Sequence, residues 1–491
     1  MNKFADLHIH PTLKSFVYHN NNNKKKGNIW FQDKPRKRER DNFFIKYTQS
    51  DFTTLAQAGV KIAFISLYPL EQGWVNSNGT SFITNFLVYI FTKFPIRQIN
   101  RIQLKNHNYF KELKSEIKFL KNEIEEAKVV EIDGKKETIY AKIPKNKIEL
   151  SRFLNEKNTL IIIPTIEGTN SLYSGNASSV NENNLDDLLK NIDILKNEIP
   201  PLFITFAHHF TNGLCGHAKS LYGDDGLTAK IIKKFLNQAE GLEDKINDKG
   251  RLVINKLLAI NSFEGEKRTL IDIKHMNEKS RKEFYNIIKN HNYIHPEDKI
   301  PIIASHVGYS GQPTLNAVSN ICKANSEFPF KNTCGQFNEA RINLTDEDVL
   351  NIFESEGIIG INLDQRIISN KKIIEEAKDK FNYKDTPELK LFWAKQIGDN
   401  IIEMARTIID NKVENYKNVW NLFAIGSDFD GFINPVDGYI TTIEYAELKK
   451  HLILVFNDNK YVKNNSFGRK VEEIVNNIMF KNAQEFTIKH I

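Results

Sequence analysis

The sequence is short of cysteine. Its 491 residues include three, Cys215, Cys322 and Cys334, and no two of them form a CxxC pair. A set this sparse, with an odd number of thiols, excludes a scaffold built on disulfides and a zinc ribbon. A reducing, cytoplasmic location is the simplest expectation.

Long apolar runs are also missing. The segment that comes nearest to one, FITNFLVYIFTKF, spans 13 residues, 82–94, whereas a membrane-spanning helix needs about 20. Its apolar residues recur at helical spacing, which predicts a helix packed on the core or on a second copy of the chain. The start, MNKFADLHIHP, has no apolar stretch behind its basic residue. We therefore expect neither a signal peptide nor a transmembrane segment.

A strong excess of one charge is absent too. Lysine and arginine number 68 against 61 acidic residues, a formal net charge of +7. This mild bias comes with no nucleic-acid-binding motif, so we expect no nucleic-acid partner. The basic cluster KPRKRER, 34–40, is interpreted as a solvated loop.

What the sequence does contain is a series of short, β-branched runs with helical patterns between most of them. The eight runs cover residues 4–10, 61–68, 159–168, 201–209, 269–275, 300–306, 357–363 and 423–431. Helical patterns follow at 110–127, 227–239 and 345–356, the last with a capping box from Thr345 and Asp348. Strands that alternate with helices imply a parallel sheet. Eight such units predict an α/β fold, a (β/α)8 TIM barrel in which residues 1–491 form one unit.

Two stretches fall outside this alternation, at residues 17–50 and 69–158. The first is a basic loop, and the second contains the apolar helix and a predicted hairpin over 129–143 with Asp-Gly at its turn. Both follow strand ends, so we expect both insertions on the active-site face, as a lid or as a homodimer contact.

Polar residues gather where the predicted strands end. In this barrel, active-site groups lie at the carboxyl ends of the strands. The residues found there are His8, His10, Glu167, His209, His275, His306 and Asp428. His8 and His10 are two apart on a strand, so both imidazoles point to one side and can bind one metal. Asp6 shares that register and is a candidate to orient one of the histidines.

The other strand-end residues suit the same chemistry. A carboxylate such as Glu167 at the end of a buried strand is costly unless it is paired or metal-bound, and its two oxygens can bridge two cations. His275 and His306 each follow a buried run, and neutral imidazole is a standard zinc ligand. Asp428, in GSDFDG, is interpreted as a base beside the metal.

The order of these motifs resembles a known family. The series FADLHIHP, IEGTN, ITFAHHFTN, LIDIKH, PIIASHVG, ARINLTDEDVL and AIGSDFDG is similar to the membrane (renal-type) dipeptidase family of zinc peptidases, in the amidohydrolase superfamily. The resemblance covers nearly the whole chain apart from the two insertions. It implies two divalent metal ions, zinc in that family. Their implied ligands are His8 and His10 for the first metal, His275 and His306 for the second, and Glu167 for both.

The resemblance also implies roles toward the substrate. Asp428 would contact the first metal and handle protons. His209 would face the substrate and stabilise the oxyanion of the tetrahedral intermediate, with the adjacent His208 as the open alternative. Arg341 would hold the substrate's C-terminal carboxylate, a task that suits a bidentate guanidinium.

This chain departs from the family pattern in two places. The family has His-x-Asp where this chain has His8 and His10, so a neutral ligand replaces an anionic one. Arg341 and Asn343 are separated by one residue, whereas the family tends to have Arg-Asn adjacent.

The combined hypothesis is a binuclear metal-dependent hydrolase, a dipeptidase that cleaves small peptides or related amides with a metal-bridging hydroxide. Two alternatives stay open. The same site would serve a lactone, a non-peptide amide or a phosphoester, or the barrel would be a catalytically idle binding protein.

Overall fold

The computed structural model describes residues 3–35, 47–75, 89, 94–104, 107–175, 182–220, 238–260, 267–318 and 335–491. The predicted apolar helix, the predicted helix over 227–239 and most of the basic cluster lie outside these residues. So do Cys322 and Cys334. Cys215 is a buried free thiol.

Eight parallel strands form the barrel, in the order in which they occur in the chain. They are β1 (Phe4–Ile9), β2 (Val60–Leu67), β5 (Thr159–Glu167), β6 (Phe203–Thr205), β7 (Leu270–Asp272), β8 (Ile303–Val307), β9 (Ile358–Ile361) and β10 (Phe423–Ile425). Every residue in them is buried, as expected for parallel strands covered on both faces. The predicted (β/α)8 barrel is confirmed, with each predicted run supplying one strand.

The barrel closes between its first and last strands. Ile9 forms a parallel bridge with Phe429, just after β10. The His8 carbonyl accepts from the Asp428 N–H, and the His10 N–H donates to the Phe429 carbonyl, both at 2.9 Å. The chain segments that carry three of the predicted metal-site residues therefore also form the closing seam.

Helices cover the outside of the barrel. They are α1 (Pro11–Asn20), α2 (Phe52–Ala58), α3 (Ile96–Ile102), α4 (Tyr109–Glu123), α5 (Lys147–Asn155), α6 (Glu182–Glu198), α7 (Asp248–Leu258), α8 (Glu278–Ile294), α9 (Asp346–Glu354), α10 (Gln365–Ile368), α11 (Lys371–Phe381), α12 (Pro387–Asp410), α13 (Tyr445–Asp458), α14 (Lys460–Asn464), α15 (Val471–Asn476) and α16 (Asn482–His490). The predicted capping box is confirmed at α9, where Thr345 and Asp348 satisfy each other's backbone N–H groups. Among the described helices, none is both long enough and apolar enough to cross a bilayer.

The 69–158 segment divides between the two ends of the barrel. Near the carboxyl ends of the strands, Trp74 and Ile99 share an apolar cluster with Leu13 of α1. The predicted hairpin is present as β3 (Lys128–Ile132) and β4 (Lys135–Lys142), but β4 pairs in parallel with the first residues of β5. Glu167 is at the other end of β5, so the hairpin does not lie on the active-site face as expected. The hairpin is held there by main-chain pairing with β5.

Candidate metal centre

The barrel brings the predicted metal-site residues together at the carboxyl ends of its strands. His8 belongs to β1 and Glu167 to β5, while His275, His306 and Asp428 belong to or follow β7, β8 and β10. The four side chains other than Asp428 are almost fully buried, and that of Asp428 is 15% exposed. The cluster is thus a nearly water-excluded pocket with one carboxylate open to the mouth.

Glu167 is the centre of this cluster. Its Oε1 lies 3.4 Å from the Nε2 atoms of His8 and His208, 3.5 Å from that of His306 and 3.7 Å from that of His275. Its Oε2 lies 3.1 Å from Nε2 of His10. Five imidazoles on four strand ends therefore direct the same ring nitrogen at one carboxylate.

The spacing of these donors fits bound cations. Zinc–nitrogen bonds of about 2.0–2.1 Å place two tetrahedral ligands about 3.3 Å apart. The Nε2 atoms of His8 and His10 are 3.0 Å apart, and Oδ1 of Asp428 is 3.4 Å from that of His10. Two of the compact triads in the cluster have the membership predicted for the two ions: His8, His10 and Glu167, and Glu167, His275 and His306. The residues present can hold divalent metal.

A buried hydroxyl fixes two of the imidazoles. Ser305 Oγ donates to Oδ2 of Asp272 at 2.6 Å, which commits its only proton. Nδ1 of His306 at 2.8 Å and Nδ1 of His8 at 3.3 Å must therefore donate to this oxygen. Both rings then present a free Nε2 lone pair toward Glu167, which is the tautomer that a metal ligand requires.

Asp6 lies beneath the cluster. Its Oδ1 accepts from the backbone N–H of His8 and of Ser427, and its Oδ2 accepts from the hydroxyls of Ser427 and Tyr445. It therefore positions the His8 backbone, whereas the imidazole is oriented by Ser305. The side chain joins β1 to the segment that follows β10.

His208 and His209 both reach the cluster, by different routes. Nδ1 of His208 donates to Oε2 of Glu71 at 2.6 Å, so its Nε2 faces Glu167. Nδ1 of His209 bonds to Ser220 Oγ at 2.6 Å, and its ring meets Trp74 edge to face. His209 is half-buried and lines the mouth, whereas His208 is buried against the Glu167 carboxylate.

Arg341 is already engaged by acidic side chains. Its Nε and Nη2 donate to the two carboxylate oxygens of Glu278, and its Nη1 donates to Glu243 at 2.8 Å. Lys279 also contacts Glu243 at 3.0 Å, so the positive charge of Arg341 is already matched by these two carboxylates. The predicted binding of a substrate carboxylate would have to compete with both.

Two cluster residues have unusual backbone. His275 has φ +68° and Asp428 has φ +64°, in the left-handed region that non-glycine residues rarely adopt. His275 lies three residues beyond Asp272, where β7 ends, and this conformation lets its ring join the cluster. Next to Asp428, Gly431 has no room for a side chain, because a Cβ would lie 2.0 Å from Asp428 Oδ1. Such conformations cluster at functional sites.

The cluster has a strong field of its own. Burial raises the pKa of Glu167, but His208, His8 and His10 outweigh it and hold that pKa well below its ordinary range. Burial lowers the pKa of His10, yet Glu167 and Asp428 raise it to about 10. Lys274, the residue before His275, is also buried, and burial lowers its pKa to about 8. Burial, with the charges of neighbouring histidines and Lys274, holds the pKa of His275 and of His306 well below the ordinary range. The site thus combines cations at His10 and Lys274 with neutral rings at His275 and His306.

Comparison with known proteins places the chain by its fold. No family model and no curated protein sequence matches it. Among solved structures it is similar to a dipeptidase, a metallopeptidase of family M19, with 11% identity over 100% of this chain and 98% of that one, at a TM-score of 0.51. It is also similar to a Rhodobacter sphaeroides metallopeptidase bound to a phosphinate mimic of L-Ala-D-Ala, with 12% identity over 100% of this chain and 99% of that one, at a TM-score of 0.48. A third similar structure is the probable dipeptidase PvdM from Pseudomonas aeruginosa, with 12% identity over 99% of this chain and 94% of that one, at a TM-score of 0.48.

The shared property is the fold. At this identity the likeness covers the whole barrel without fixing a substrate.

Several residues of the cluster were not anticipated from the sequence. Glu71 is in an insertion, 137 positions from the histidine that it holds. Asp272 and Ser305 are polar residues inside otherwise apolar runs, and that was the available signal, because buried polar groups need a partner. Lys274 carried the same signal, since it stands in a run that should be buried.

Proposed function

We propose that this chain is a hydrolase that holds two divalent metal ions, zinc being the simplest choice, and that it cleaves small peptides or related amides. The observation that carries the proposal is the carboxylate of Glu167 among five imidazole Nε2 atoms, in two triads that share it. The barrel shared with an M19 dipeptidase supports the same choice. A cytoplasmic location and a homodimer stay predictions.

The proposed ligands are His8, His10 and Asp428 for one ion, His275 and His306 for the other, and Glu167 for both. When bound, such ions polarise a carbonyl and lower the pKa of a coordinated water from about 15.7 toward roughly 7. The chain's part is to hold them in a buried pocket, where their field is little screened by solvent.

Asp428 is the proposed proton carrier. It is the one carboxylate of the cluster with an exposed face, 15% of its side chain, and its Oδ1 lies 3.4 Å from Nε2 of His10. A carboxylate so placed can take a proton from the attacking water and deliver it to the leaving amine.

The two adjacent histidines have separate proposed roles. His208, fixed through Glu71, stabilises the oxyanion beside Glu167. His209 contacts the substrate at the mouth, next to Trp74. His208→Asn would then lower kcat, whereas His209→Asn would mainly raise KM. The reverse pattern would exchange the two roles.

The deciding experiment combines metal analysis with a substrate panel. Purified full-length protein is quantified for zinc, manganese and iron, and then assayed on dipeptides, lactones, non-peptide amides and phosphodiesters, with and without a chelator. We expect about two ions per chain and chelator-sensitive dipeptide hydrolysis. Turnover only of lactones or phosphodiesters would reassign the substrate, and protein without stoichiometric metal would favour an idle barrel.

A matched pair of variants tests the proton carrier. Asp428→Asn should abolish most turnover while metal stays bound. Asp430→Asn is the control, because Asp430 accepts from Gln49 and Ser50 and belongs to the loop scaffold. Full activity of metal-loaded Asp428→Asn would refute the role.

A further inference from the structure

Lys274 is a buried cation inside the barrel mouth. Its side chain is 2% exposed, and among the described residues its Nζ has no hydrogen-bond partner. A buried ammonium without a partner is costly, and native proteins retain one mainly where function needs it. The mechanism proposed above does not use this residue.

The position of Lys274 follows from its strand. Ser305 Oγ, on β8, reaches His8 on β1, and these two strands are not neighbours, so Ser305 faces the lumen. Asp272 Oδ2 accepts from Ser305 and therefore faces the lumen as well. Lys274 lies in the turn that follows Asp272. After burial and a neighbouring histidine, its charge is a further cause that lowers the pKa of His275 and of His306, so the ammonium lies close to these proposed metal ligands.

The acidic groups around Lys274 have other engagements. Asp272 accepts from Thr205 and Ser305, and Glu167 faces the five imidazoles. Asp364 forms a bidentate contact with Arg366. Asp428, the carboxylate whose charge raises the pKa of Lys274 most, has its Oδ1 3.4 Å from Nε2 of His10. Among the described residues, no carboxylate comes within hydrogen-bond distance of the buried Lys274 ammonium, so its charge is not matched by a bonded partner.

Arg341 presents the opposite case. Its guanidinium already binds Glu278 and Glu243, and Lys279 adds a further contact to Glu243 at 3.0 Å. An incoming carboxylate would meet two like charges there. Of the two cations near the mouth, the arginine is neutralised and the lysine is not.

We propose that Lys274 binds the anionic group of the substrate, a role that rests on the proposed hydrolase function. Because the charge of Lys274 acts on Glu167 and His275, two of the proposed metal ligands, we place the anion close to the scissile bond. The substrate class is therefore an amide whose carboxylate is on the carbon next to the scissile nitrogen, as in dipeptides and N-acyl amino acids. Longer peptides place their carboxylate too far away.

The test compares alanylalanine with alanylalaninamide, which lacks the carboxylate. Turnover and calorimetric binding are measured on metal-loaded wild type and on Lys274→Met, Lys274→Arg and Arg341→Met, each with its metal content determined. The wild type should favour the free acid, and Lys274→Met should lose about 10- to 100-fold of that preference, chiefly through KM and Kd. Lys274→Arg should restore part of it, and Arg341→Met should keep it.

Lys61→Met is the matched control. Lys61 is also a buried lysine, but it is at the opposite end of the barrel, and its Nζ donates to the Thr159 carbonyl at 2.8 Å. It should lose stability and keep the acid-to-amide preference. Equal losses for acid and amide in Lys274→Met would overturn the proposal, as would loss of the preference in Arg341→Met alone. Calorimetry decides the point even without hydrolysis, so failure of the proposed function is a separate result.

Discussion

Two buried carboxylates of this barrel have contrasting surroundings. Asp348 is held by committed donors: Arg281 Nη1 at 2.8 Å, the Tyr285 hydroxyl at 2.5 Å and the Thr345 N–H at 2.7 Å. Glu167 faces imidazole nitrogens, and for His8 and His306 the outer hydrogen bonds leave the lone pair pointing inward. The chain completes the environment of Asp348 by itself. The environment of Glu167 has inward-pointing lone pairs that suit bound cations. This difference distinguishes a structural carboxylate from the carboxylate of a candidate site.

The largest effect is expected at Glu167. Glu167→Gln removes the shared ligand, so metal content should fall and turnover should drop on the order of 10³-fold, because the ions supply several kcal/mol of transition-state stabilisation. Metal analysis and initial rates measure both quantities. If the variant kept its metal and its rate, Glu167 would not be a metal ligand and would not differ from Asp348 in function.

The opposite outcome is expected at Asp348. Asp348→Asn leaves Arg281 buried without its counter-charge, which costs about 3–5 kcal/mol of stability. Chemical denaturation should register that loss, while the fraction that remains folded binds metal as the wild type does. Loss of metal without loss of stability would contradict the assignment.

A third buried carboxylate sharpens the comparison through pH. Among the described residues, Glu116 accepts only from neutral donors, Thr12 Oγ at 2.6 Å and the Tyr68 N–H at 3.2 Å, and burial raises its pKa from 4.5 to about 7. The protonated form therefore favours the folded state. Its contribution is complete below pH 4.5 and is lost as pH rises through about 7.

We expect Glu116→Gln to remove this slope. Each unit of pKa difference corresponds to about 1.4 kcal/mol, so wild type should lose stability relative to the variant between pH 4.5 and 7. Urea denaturation at several pH values measures it. Parallel curves for the two proteins would show that Glu116 stays ionised in the fold.

The smallest effect is expected from Ser305→Ala. Removing this hydroxyl frees the outer nitrogens of His8 and His306, and loss of such an outer partner typically lowers metal affinity by about 10- to 100-fold. Ser310→Ala is the control, since that buried hydroxyl donates to the Leu344 carbonyl instead. Equal metal affinities in the two variants would show that Ser305 does not orient the metal ligands.

Much of the architecture was accessible from sequence because its signals are local. Each barrel strand is a short buried run, and six of the eight runs carry a predicted site residue at or near their end. The alternation of side chains gave no prediction where a strand ends before the end of its apolar run. β6 ends at Thr205, so alternation along the predicted 201–209 run could not choose between His208 and His209.

Other features depend on distant partners. The pairing of Arg341 with Glu243 joins residues 98 positions apart, and no local pattern carries it. The place of the hairpin was missed for a related reason, because the edge of β5 that receives β4 is a property of the assembled sheet. The sequence predicted the type of each element and the candidate ligands at the strand ends. It did not predict which distant residue hydrogen-bonds to each of these polar groups.

The closing seam has a consequence for how the protein acquires its metal during synthesis. His8 leaves the ribosome 420 residues before Asp428, whose N–H closes the seam on it. At about 5–20 residues per second, the two are separated by roughly 20–80 s. Until then the first two histidines lack most of their proposed co-ligands. Full occupancy is therefore a late event, and a nascent chain stalled before its last barrel strand would hold a histidine pair without a finished site.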